Sequence, residues 1–105
     1  MCEVNVDTIR RAHKICPVTA IQSEYHLMHR MVETNGVLEL CEDLGIGFVP
    51  YSPLNRGFLG GMINEYTKFD VTNDNRQTLP RFQPEAIRAN YRIVEVLNAF
   101  GRTRG

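Results

Sequence analysis

Apolar residues recur along this chain at two different intervals, and the interval changes at proline and glycine. From Asn5 onward, Val6, Ile9, Ala12 and Cys16 fall at three- and four-residue steps, the spacing that lines one face of a helix. Asn5 is a good cap, Asp7 suits the positive helix start and Pro17 stops the run, so a helix is expected between them. Val18–Tyr25 is short, partly β-branched and preceded by proline, which predicts a strand with an apolar start and a polar end. Val37, Leu40, Cys41 and Leu44 form a second helical stripe, with Glu39, Glu42 and Asp43 on the wet side and Gly45 as the stop. Ile46–Tyr51 is a second short apolar run, about 28 residues after the first strand begins, close to the repeat of a βα unit.

A long loop is expected from Ser52 to about Gln83, rich in Gly, Asn, Asp and Pro. Loops of that length are uncommon unless they are functional or disordered. Pro84 then opens a third amphipathic helix through Ile87, Tyr91, Val94 and Leu97. Helix, strand, helix, strand, loop, helix is the order of an α/β protein with a parallel sheet. Two parallel strands cannot cover both of their faces or close their edges, so the expectation is a chain that pairs with others or forms part of a larger fold.

Composition narrows the field. Its 105 residues fit one small domain or a piece of a larger one. Lys plus Arg number 12 and Asp plus Glu 12, so no net field steers the chain toward nucleic acid or an anionic membrane. The start Met1-Cys2-Glu3-Val4-Asn5 has neither the basic segment nor the apolar core of a signal peptide, and a soluble cytoplasmic protein is expected. Cys2, Cys16 and Cys41 are odd in number and widely spaced, which argues against a disulfide framework and a zinc knuckle.

The run Pro50-Tyr51-Ser52-Pro53-Leu54-Asn55-Arg56-Gly57-Phe58-Leu59-Gly60-Gly61, after Gly45-Ile46-Gly47-Phe48-Val49, resembles the seventh strand and following loop of the aldo/keto reductases. Val18–Tyr25 is similar to that family's sixth strand in its microbial and plant members, and Leu79-Pro80-Arg81-Phe82 with the helix through Asn90 fits the same branch. The resemblance implies one domain, residues 1–105, that is part of a (β/α)8 TIM barrel truncated at both ends, with two parallel strands, about three helices and a long loop. It implies an oxidoreductase that passes hydride from NADP(H), with NAD(H) left open, to an aldehyde or ketone, without a metal. By the same resemblance Gln22 binds the nicotinamide carboxamide, Tyr51 lies against the nicotinamide ring, and Ser52, Leu54, Arg56 and Gly57 belong to the loop around the pyrophosphate. An aromatic plane suits the ring, an amide its carboxamide, and hydroxyl, guanidinium and backbone amides a diphosphate. Asn55 stands where the family usually has glycine, a tolerable change because asparagine also enters left-handed backbone conformations.

The family's catalytic tyrosine, lysine, aspartate and histidine have no matching positions here, since the resemblance begins just after its fifth strand. The segment that reads the adenosine ribose is also without a counterpart, so NADP and NAD preference stays open. Three functions remain in competition: a truncated reductase inactive alone, an assembly module pairing with copies of itself or with a missing barrel segment, and a weak nucleotide binder. His26 and His29 with Glu24 read as loop residues rather than a metal site, and Glu39, Glu42 and Asp43 as solvated surface. Gly57, Gly60 and Gly61 do not form the Rossmann fingerprint. Arg81 has no assigned role.

Overall fold

In the computed structural model, which describes residues 1–105, the Asn5 side chain accepts a hydrogen bond from the Thr8 amide at 2.9 Å. That cap satisfies one of the amides a helix start leaves unpaired, and α1 follows over Val6–Ile15. Beyond Pro17 the chain enters β1, Ala20–Glu24, then α2, Val37–Leu44, and β2, Gly47–Tyr51. Both strands are shorter than the apolar runs that announce them. Val18 sends its N–H to His13 Nδ1 at 3.1 Å instead of to a neighbouring strand, while Thr19 O already accepts the Gly47 amide at 2.9 Å.

β1 and β2 pair in parallel, with Gln22 opposite Val49 and Glu24 opposite Tyr51. A third short stretch joins them, because Cys2 bridges Gln22 in parallel and Met1 and Glu3 bond the Gln22 backbone at 2.8 and 2.9 Å. The residues at the chain start therefore add to the two expected strands. α1 and α2 cover one face, where Ile9, Ile21, Val37, Leu40, Cys41 and Ile46 form a buried cluster. Strand alternation leaves Ala20, Gln22 and Glu24 with Gly47, Val49 and Tyr51 on the other face, and no helix of this unit covers it.

α2 ends in a Schellman motif. Gly45 takes φ 65°, its N–H bonds Glu42 O at 3.3 Å, and Ile46 N–H bonds Cys41 O at 2.8 Å while both side chains lie in the core. The expected wet side of this helix is exposed at Glu39, Glu42 and Asp43.

The chain forms two compact units, Met1–Pro53 and Leu54–Gly105. In the second, α3 spans Pro84–Arg104 with proline in its first turn and buries Ile87 and Val94, one heptad apart. The preceding stretch, expected as a long loop, carries 3-10 turns at Phe58–Gly60, Asn75–Thr78 and Pro80–Phe82, and Phe58 and Phe82 are buried. No helix is long and apolar enough to cross a membrane.

Candidate cofactor site

Gln22 and Tyr51 occupy the same face of the parallel pair, Gln22 in the middle of β1 and Tyr51 at the C-terminal end of β2, one same-face step further along. Gln22 is exposed and Tyr51 half-buried. The Glu3 carboxylate accepts the Glu24 amide at 2.6 Å and lies near the Tyr51 phenol. Burial pushes the Tyr51 phenol up from its ordinary pKa, and the bond to Glu3 and the negative charges of Glu3 and Glu24 push it the same way. Tyr51 is thus a neutral ring, kept so in part by a carboxylate 48 positions earlier in the sequence. Ser52, the next residue, takes a left-handed φ of 53° and is half-buried.

Beyond β1 the chain makes a tight turn in which His26 and His29 exchange backbone hydrogen bonds at 3.2 and 2.9 Å. His26 is buried and its Nε2 lies 2.9 Å from Glu24 Oε1, an internal pairing within this turn. Tyr25 donates to Glu33 at 2.8 Å, and the same carboxylate takes a two-bond fork from Arg30 at 2.7 and 2.8 Å. Those bonds, the Arg30 fork first, hold the Glu33 carboxyl below its ordinary pKa. No group of three or more His, Cys, Asp or Glu side chains is placed to hold a metal ion.

In the second unit Leu54 is exposed and begins a turn whose central residues, Asn55 and Arg56, have φ of 49° and 54°. Positive φ at both central positions is the requirement of a type I′ turn, which explains why asparagine is accommodated where glycine is usual. Leu54 O accepts the Gly57 and Leu59 amides at 3.1 and 3.0 Å, and Phe58 N–H bonds Asn55 O at 3.1 Å. The Gly57 amide is therefore already committed within the turn, and what Gly57 contributes is its φ of 95°. Asn55 is buried. Arg56 donates from one terminal nitrogen to Asn75 Oδ1 at 3.2 Å, while its Nε is shielded from solvent without a hydrogen-bond partner, leaving one charged donor unspent. Such a donor beside a left-handed turn fits an anionic group.

Two contributors escape the sequence reading. Glu3 carries no local signal, since its partners are Glu24 and Tyr51. Arg76 donates to Arg56 O at 3.0 Å and is gripped by Asp74. The Asp-x-Arg spacing at 74–76, with Asp74 accepting the Arg76 amide at 3.0 Å, is the one cue that was present.

Parallel strands backed by helices on one face, with polar and aromatic groups at the C-terminal ends of the other, match part of the wall of a β/α barrel. The profile described as the aldo/keto reductase family matches residues 1–105, and the chain belongs to that family of oxidoreductases. The Glycine max protein named "Probable aldo-keto reductase 1" is 43% identical over 102 residues, which cover 97% of this chain and 29% of that protein. The chain thus spans about three-tenths of the length of that relative.

Proposed function

We propose that residues 1–105 supply the cofactor-gripping part of a cytoplasmic, NADP(H)-dependent aldo/keto reductase that converts aldehydes or ketones to alcohols. Gln22 holds the nicotinamide carboxamide, Tyr51 fixes one face of the ring, and Ser52, Leu54, Arg56 and the backbone conformation of Gly57 serve the diphosphate. Bound there, the cofactor supplies the hydride; the residues present hold and orient it. The reading is carried by Gln22 and Tyr51 sharing one face of the parallel pair, with Tyr51 at the end of its strand and its phenol kept neutral beside Glu3. Residues 1–105 contain no counterpart of the family's proton donor, so this segment alone is proposed to be inert toward carbonyls.

Titration of the intact protein with NADPH, followed by nicotinamide fluorescence, tests the site. Loss of the Tyr51 ring in Tyr51→Ala should weaken NADPH by about fivefold to a hundredfold, the scale of one aromatic stack. Gln22→Ala should cost about fivefold, the scale of one neutral hydrogen bond. ADP-ribose, which lacks the nicotinamide, should bind both variants as it binds the unaltered protein. NADPH affinity unchanged in both variants would remove these residues from the site. Aldehyde-dependent NADPH oxidation by the 105-residue segment alone would contradict its inertness.

A further inference from the structure

The Leu54–Gly57 turn is costly to form. Asn55 and Arg56 both stand in the left-handed region, where a side chain meets the following carbonyl, and Gly57 continues at φ 95°. Asparagine tolerates this conformation; arginine has no such advantage, so something outside the turn has to hold residue 56 there.

Arg76 meets that need. It donates to the Arg56 carbonyl at 3.0 Å, at the left-handed residue itself. Asp74 holds the other side of the guanidinium with contacts of 3.0 and 3.1 Å to Nε and 2.6 Å to a terminal nitrogen, and the Phe69 ring lies 4.8 Å from its central carbon. Asn75, between the two, accepts from the Arg56 side chain at 3.2 Å. A Cβ built on Gly57 would stand 3.6 Å from the same Arg76 nitrogen, so the guanidinium also lies against the last left-handed residue of the turn. Asn75 and Arg76 therefore grip residue 56 through its side chain and its main chain, and Asp74 acts on it only through Arg76.

We propose that Arg76, locked by Asp74 and Phe69, is a positioning residue that pre-forms the Asn55–Gly57 turn for the diphosphate of the cofactor. The inference rests on the cofactor reading above and adds to it a residue that touches no ligand. A planar guanidinium suits the task because it serves a carboxylate fork and a carbonyl at once, whereas a lysine ammonium offers no such fork. Arg76 secures the backbone of Arg56 and Asn75 its guanidinium, so both are set before the diphosphate arrives.

Arg76→Ala, Arg76→Lys and Asp74→Asn in the intact protein test this, with NADPH and ADP-ribose as probes and amide hydrogen exchange as the structural readout. In Arg76→Ala both probes should weaken by the same factor, about tenfold to a hundredfold, the scale of one charge-assisted hydrogen bond. Exchange at the Gly57 and Leu59 amides, which close the turn on Leu54 O, should speed up while amides in the middle of α3 keep their protection. Arg76→Lys should recover less than half of the lost affinity on a logarithmic scale. Asp74→Asn should shift both probes in the same direction by a smaller factor, and it carries the test if Arg76→Ala does not fold. Unchanged ADP-ribose affinity in Arg76→Ala and Asp74→Asn, or affinity loss without faster exchange at Gly57 and Leu59, would overturn the positioning role alone. An unaltered protein that binds neither probe would overturn the cofactor reading beneath it.

Discussion

Gly45 offers a clean measurement of what one backbone conformation contributes to this fold. It closes α2 at φ 65°, and a Cβ added there would meet no atom within 4 Å, so Gly45→Ala changes conformational preference and nothing else in the folded state. Forcing alanine left-handed costs about 1–2 kcal/mol. Alanine also restricts the unfolded chain, which returns about 0.4–1 kcal/mol, so the middles of the two ranges leave a net loss of about 0.8 kcal/mol. Gly45→Asn should lose less, since asparagine enters this region more readily. Gly36→Ala should lose more, because φ there is 82° and the new Cβ would lie 3.3 Å from Val6 Cγ2. Gly60→Ala is the control: open space surrounds it and its φ is not positive, so it should be neutral or stabilising. Urea unfolding of the intact protein, followed by circular dichroism at constant slope, ranks the four by midpoint. A Gly45→Ala midpoint at or above that of the unaltered protein would refute the reasoning, since no steric relief is available to explain it.

Glu3→Gln should bring the Tyr51 phenol down toward its ordinary pKa, because it removes a carboxylate that disfavours the phenolate, while burial keeps part of the rise. Alkaline titration by ultraviolet difference spectroscopy, with Tyr51→Phe to identify the component, reads this directly; an unmoved Tyr51 component would show that Glu3 does not hold it. Asp74 is depressed chiefly by its bonds to Arg76. As pH falls below about 4 the unfolded chain takes up the proton first, so the pair's contribution is present above that pH and is lost as pH drops through the lower folded value. Asp74→Asn should flatten that acid limb in a series of urea midpoints, and an equally steep limb would locate the acid sensitivity elsewhere.

Local chemistry made much of the fold legible. Asn5 and Pro17 bracket α1, Gly45 ends α2, Pro84 opens α3, and the two apolar runs are parallel strands because each is followed or preceded by a helix of the right length. Cap and stop residues act on their immediate neighbours, so a one-dimensional reading captures them. The left-handed conformation of Asn55 agrees with the family resemblance, in which glycine usually stands at that position. Strand lengths were not legible, because Val18 leaves the ladder for a histidine five residues away. The stretch before Pro84 read as a loop because 3-10 turns of three or four residues leave no sustained periodicity. Glu3 and Arg76 were out of reach altogether, since they act on residues about 20 or more positions away and only the folded chain brings them there.

The three cysteines divide unequally between surface and interior, Cys2 and Cys16 being exposed while Cys41 is buried on α2 with its thiol pushed up by desolvation. Thiolate is the reactive species, so alkylating reagents consume the outer pair first and reach the third only when α2 lifts from the sheet. The chain therefore carries its own clock for local opening, readable by mass spectrometry without an added label.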